Sequence, residues 1–127
     1  MIKKFNVDDS TGEITGETVT GGLAAEMVES MYNELERAGE RYWRYNHSIH
    51  ESYSLIREEL EESQEAIKVI PDSLKEAWKQ VRENDPTTFA VFCEQIRKDA
   101  LHAAGECIQL AAMALKASES VYKEKDI

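Results

Sequence analysis

The sequence predicts an all-α protein: a bundle of about four helices behind a non-helical N-terminal arm, completed by oligomerisation. Three observations carry that prediction. From Leu23 onward, apolar residues recur at spacings of three and four, the period of one helical stripe. Four of the six glycines (Gly12, Gly16, Gly21 and Gly22) fall ahead of that pattern, among Thr11, Thr15, Thr18 and Thr20, so the breakers sit in the first 22 residues. The two prolines, Pro71 and Pro86, then cut the periodic region into lengths suited to single helices.

Taken in order, residues 1–21 form the arm, where Phe5 and Val7, then Ile14 and Val19, make short strands, a hairpin, or a segment ordered only against a partner. Residues 22–127 make one all-α domain, since a second core would need roughly another 100 residues. The first helix covers about 22–45, with Leu23, Met27, Met31, Leu35, Ala38, Tyr42 and Tyr45 on its stripe. A second begins at Ser48, an N-cap with Glu51 as its capping-box partner. It ends where Pro71 drives Ile70 out of the helical region, and Pro71 then enters the first turn of a short third helix bearing Leu74, Ala77, Trp78 and Val81. Asn84-Asp85-Pro86 breaks the chain. Thr87 or Thr88 caps the last helix, which runs from about 88 to 121 with only Gly105 to kink it.

That last helix implies assembly. Thirty-odd residues make a rod of about 50 Å, whereas a compact domain of this length is roughly 36 Å across. Ile108 and Leu115 share one side, while Phe89, Phe92, Ile96, Ala103, Leu110, Ala114 and Val121 occupy another. A helix apolar on two sides is sandwiched, which predicts a homodimer or homotetramer. Cys93 and Cys107 lie on the same rod roughly 21 Å apart, beyond disulfide reach. Without CxxC spacing they read as two buried thiols rather than a zinc site.

With 25 acidic against 15 basic residues, the chain carries a formal charge of −10. Such a surface repels phosphodiester backbones and anionic lipid, so nucleic-acid polymers and membrane surfaces are disfavoured partners. No apolar run approaches the roughly 20 residues of a membrane span. The opening from Met1 to Asp9 lacks the apolar region of a signal peptide, and cytoplasmic location is the expectation.

The acidity is unevenly placed. On a wheel with Glu58 at zero and about 100° per residue, Leu55, Ala66, Ile70, Ile56, Ile67 and Leu60 fill an arc from about 60° to 200°. Glu59, at about 100°, falls inside the apolar arc; Glu62 and Glu51 lie at its margin, and Glu61, near 300°, is on the polar side. A carboxylate on an apolar face costs several kcal/mol unless protonated, paired or metal-bound. With Glu58 and Glu62 adding charge, the economical partner is a hard divalent cation, Mg²⁺ first and Mn²⁺ next. On the last helix, Glu106 sits at the edge of the apolar stripe, one heptad after Asp99 and three residues before Gln109. Ala103, Ala104, Gly105, Ala111, Ala112 and Ala114 surround it, small enough to let another helix bring its carboxylates close.

At these residues the chain resembles the MazG-like all-α nucleoside triphosphate pyrophosphohydrolases, in their short phage and prophage form. Glu58-Glu59-Leu60-Glu61-Glu62 matches the family's EExxE, the stretch Asn46 to Ile56 resembles the segment before it, and Glu106 to Ala114 resembles the later ExxD helix, over about residues 34–118. The resemblance implies Mg²⁺ held by Glu58, Glu59, Glu62 and Glu106, catalysis through Glu59 and Glu62, and cleavage of an NTP or dNTP to the monophosphate and pyrophosphate. The family's aspartate is Gln109 here. That residue, with Asp99, is a second-rank metal position, and a weakened nucleotide-binding or structural relative is the alternative reading. For the substrate, Trp43 and Tyr45 could stack on a base with Asn46 reading its edge, or the two aromatics could simply close the corner between the first two helices. His50, Lys68 and Arg97 are further binding candidates, with Lys98 and Lys116 as additional cations. One imperfect Asp99-x-x-His102 falls short of the paired motifs of a di-iron bundle.

Overall fold

The computed structural model describes residues 4–7, 14–19, 22–41 and 44–125. Two short strands, β1 (Lys4–Val7) and β2 (Ile14–Val19), pair antiparallel in the arm, with Val7 opposite Ile14, Asn6 opposite Thr15, and an irregularity between Lys4 and Phe5. Of the alternatives open for this segment, the structure takes the hairpin. Four helices come next in the chain: α1 (Leu23–Arg41), α2 (Ile49–Lys68), α3 (Ile70–Glu83) and α4 (Pro86–Lys125).

The helix α4 is the hub. Its 40 residues make a rod of about 60 Å, longer than the pattern implied and unbroken at Gly105. The helices α2 and α3 together run back along it, α3 on its N-terminal half and α2 on its C-terminal half, and α1 packs on the C-terminal half opposite a cleft. Among the described residues most of the buried apolar positions are alanines, Ala25, Ala66, Ala77, Ala103, Ala112 and Ala117, with Val28 and Leu35 the exceptions. Alanine at a seam lets helix axes approach to the short end of the usual 8–10 Å. No large side chain is fully buried among them.

The joints show which local signals acted. Gly22, at φ 136°, stands where a residue with a Cβ would be strained, and its carbonyl accepts the Glu26 N–H to open α1. That helix stops at Arg41, short of Tyr45, and buries Ala25, Val28 and Leu35, whereas Leu23 and Met27 stay exposed. The predicted stripe is therefore inward at Leu35 but not at Leu23 or Met27. Ser48 does cap α2, accepting the Glu51 N–H at 3.1 Å, but the Glu51 carboxylate takes the His47 N–H, one residue before the usual capping-box donor. Only Val69 separates α2 from α3, and it is itself right-handed helical. Pro71 does not expel Ile70, because at the first turn its missing N–H is one no helix uses. Asn84, left-handed at φ 55°, ends α3. Asp85, not a threonine, caps α4: its carboxylate takes the Thr88 N–H at 3.1 Å and the Thr88 hydroxyl at 2.8 Å, with Pro86 at the first helical position.

The loop before α2 is fixed to the far end of α4. Asn46 donates its backbone N–H to Ser120 Oγ and its side-chain amide to Ser52 Oγ, both at 2.8 Å, and Arg44 pairs with Glu119. Cys93 and Cys107 are exposed rather than buried, because among the described residues no other helix covers their side of α4. No described helix is long and apolar enough to cross a membrane.

Candidate metal centre and adjoining cleft

The antiparallel run of α2 along α4 brings the EExxE segment level with Glu106. Glu59, Glu62 and Glu106 each offer a carboxylate oxygen, and the three oxygens lie within 4.8 Å of one another. Ala66 and Ala103, both buried, form the close seam that permits this approach. Ser63 closes the same turn by donating its hydroxyl to the Glu59 carbonyl at 2.9 Å, so a buried serine beside three acids takes none of their acceptor capacity.

Their electrostatics are unfavourable without a cation. The Glu59 carboxyl titrates above its ordinary range, first because burial strips its water and then because Glu62, Glu106 and Glu58 crowd it with negative charge. Glu62 is exposed as a residue, yet its carboxyl is also pushed up, by desolvation at its tip and by Glu106 and Glu58. Two oxygens in the group, Glu59 Oε2 and Glu106 Oε2, are buried with no hydrogen-bond partner. Buried orphan acceptors next to like charge are costly. A divalent cation removes both penalties together, so the donor set fits Mg²⁺ or Mn²⁺, which favour carboxylate oxygen.

Glu58 lies outside the three-oxygen group and lines the cleft beside it. The cleft, about 610 Å³, opens between α1, α2 and α4. Leu55, Ala38, Ala112 and Met113 form its apolar walls; Arg37, Glu51 and Lys116 supply charge away from the metal group. Lys116 is only 5% exposed. Among the described residues no carboxylate comes within ion-pair distance of its ammonium, whose titration is lowered by burial and partly restored by the nearby charge of Glu51.

The remaining candidates are distributed unevenly. Gln109 lines the cleft. Asp99 accepts from Gln95 Nε2 at 3.0 Å, two turns away from Glu106. Lys68 and His50 are exposed, and Arg97 is spent on Glu94 at 2.8 Å. Asn46 serves the corner, and Trp43 lies outside the described residues. Arg37 was not signalled by the sequence at all, because only the placement of α1 brings it to the cleft. His102, 3.9 Å from Glu106, stands at the open side of the carboxylates with Glu65 and Val69. No family profile, curated protein or solved structure matches the chain.

Proposed function

We propose that the protein is a Mg²⁺-dependent nucleoside triphosphate pyrophosphohydrolase of the MazG-like kind, acting on an NTP or dNTP in the cytoplasm as a homo-oligomer. The observation that supports this reading is the meeting of Glu59, Glu62 and Glu106 from two helices, with two buried oxygens lacking any partner. Glu59 and Glu106 would hold the ion, with Glu58 at the cleft side. The metal supplies neutralisation of triphosphate charge and a more acidic water. The chain's own groups do the rest. The cleft next to Glu59 accepts the nucleotide against Leu55 and Met113, and Lys116 donates to it from a dry position where a charge-assisted bond is strong. Glu62, at the exposed edge, is placed to take the proton of the water that adds to the α-phosphorus as pyrophosphate leaves.

The test is pyrophosphate release from a nucleotide panel with Mg²⁺ or Mn²⁺. Turnover is expected with the wild type and lost in Glu59→Gln and Glu62→Gln variants that retain their helicity. Lys116→Met should raise KM more than it lowers kcat. Failure to turn over any nucleotide overturns the reading. Gln109, in the cleft where the family has an aspartate, favours one second reading, a protein that binds Mg²⁺ and nucleotide without hydrolysis. Turnover gained only on Gln109→Asp would select it, and a thermal midpoint unmoved by Mg²⁺ would leave a metal-free scaffold.

A further inference from the structure

The cleft has two poles, and the carboxylate group stands at only one of them. Along α2, Glu51 lies eight residues before Glu59, about 12 Å along the rod. Along α4, Lys116 lies ten residues beyond Glu106, about 15 Å along its rod. Because the helices run antiparallel, both displacements lead to the same end, next to the corner that Asn46 and Ser120 close.

Two opposite charges face this pole without joining. The buried Lys116 side chain lines the cleft and has no hydrogen bond or ion pair among the described residues. Glu51 stands farther from it than the 4.0 Å of an ion pair, yet close enough for its charge to act on the ammonium. One Glu51 oxygen, Oε2, accepts the His47 N–H at 3.1 Å, which steadies the carboxylate and leaves Oε1 uncommitted among the described residues. The other cation lining the cleft, Arg37, is taken by Glu34 at 2.7 Å. Between the poles, Leu55, Ala112 and Met113 offer apolar walls that suit a flat ring, the methionine sulfur included.

A buried ammonium and a carboxylate oxygen that do not reach each other are satisfied by a ligand that brings an acceptor to the first and a donor to the second. A phosphate brings acceptors alone, and Glu51 repels it. A nucleobase brings both. The separation of the poles is about the length of a nucleoside monophosphate, so a nucleotide with its α-phosphate at the carboxylate group delivers its base to Lys116. The edge that matches is a lactam, a carbonyl oxygen beside a ring N–H, each strengthened by a charged partner. Uracil, thymine, guanine and hypoxanthine carry it. Cytosine and adenine set an amine against the ammonium and a bare ring nitrogen against the carboxylate.

Granted the nucleotide reading of the cleft, on which this rests, we infer that its far pole reads the base: Lys116 donates to the carbonyl oxygen and Glu51 accepts the ring N–H of a lactam. Uracil against cytosine, and hypoxanthine against adenine, are near-isosteric pairs that isolate this edge. Isothermal titration with Mn²⁺ and the non-hydrolysable α,β-imido deoxynucleoside triphosphates is the test. The uracil and hypoxanthine analogues should bind about tenfold tighter than their amino counterparts, the contribution of one charge-assisted hydrogen bond. Glu51→Gln, whose amide oxygen still accepts the His47 N–H, should bring both ratios close to one, and so should Lys116→Met. A role confined to holding the corner would weaken all four analogues alike. Equal affinities in the wild type, ratios that survive both substitutions, or binding of no analogue overturn the inference. So does loss of inorganic tripolyphosphate binding in Lys116→Met, which would place the ammonium on the phosphates. Base preference in binding without pyrophosphate release from any nucleotide overturns the hydrolase reading alone; release with equal affinities overturns the lactam assignment alone.

Discussion

Glu59 concentrates the conflict between folding and chemistry in a single side chain. Its helix places it on the inward arc, where a carboxylate loses water and meets Glu62 and Glu106. A carboxyl whose titration is raised by folding contributes stability below its unfolded pKa of 4.5 and loses it as pH rises through the raised value. In a chelator, the thermal midpoint should therefore fall as pH climbs from the ordinary carboxylate range toward neutrality. Glu59→Gln, which cannot ionise, should flatten that fall and raise the metal-free midpoint at pH 7, and it should also abolish the increase produced by Mg²⁺. Differential scanning fluorimetry across pH, with and without Mg²⁺, reads all three outcomes. Glu59 and Glu106 were legible in the sequence because a charge at an apolar wheel angle, or amid alanines, needs nothing beyond the helical period. Lys116 was not separable from Lys68 or Arg97, since which cation enters the cleft depends on where α1 lies against α4. The same limit misplaced Cys93 and Cys107: a wheel identifies an apolar angle but not whether another helix arrives to cover it.

At the scale of the element, caps and breakers behaved as hydrogen-bonding chemistry rather than as residue labels. Ser48 was legible because its N–H partner lies three residues on in the same helix. Pro71 was misread by giving the disfavoured helical backbone of the preceding residue priority over tolerance of proline in a first turn. The packing of α2 and α3 along one continuous partner resolves the conflict in favour of helix. At the other end of α3, Asp85 is held below its usual titration range by the backbone and hydroxyl bonds from Thr88. Such a group adds stability above its unfolded pKa and loses it as pH falls through the folded value. Asp85→Ala should accordingly lower the midpoint at pH 7 and shrink in effect on acidification below the ordinary aspartate range. Gly105 offers the opposite change. It sits within α4, and a Cβ there would meet nothing within 4 Å. Gly105→Ala should stabilise the fold by about 0.5–1 kcal/mol, a rise of roughly 2–6 °C in thermal denaturation.

Taken whole, the molecule is a long two-layered hairpin with a third helix covering half of one side. The fold class was legible because period and breakers agree along the entire chain; the hub role of α4 was visible only as a rod too long for one compact subunit. If copies assemble as the homo-oligomer proposed, mass action makes the thermal midpoint rise with protein concentration over the micromolar range, which scanning fluorimetry at several concentrations reads. Assembly also joins chains of charge −10, so added salt should strengthen it by screening their repulsion. The position of α1 has a consequence of its own. It is anchored along α4, with Glu34, Arg37 and Ala38 looking across the cleft toward α2. Whatever fills that gap becomes a strut between the two walls. Backbone amides of α1 should then exchange with deuterium faster than those of α4 in the empty protein and slow selectively once the cleft is filled, registering occupancy from the outer wall.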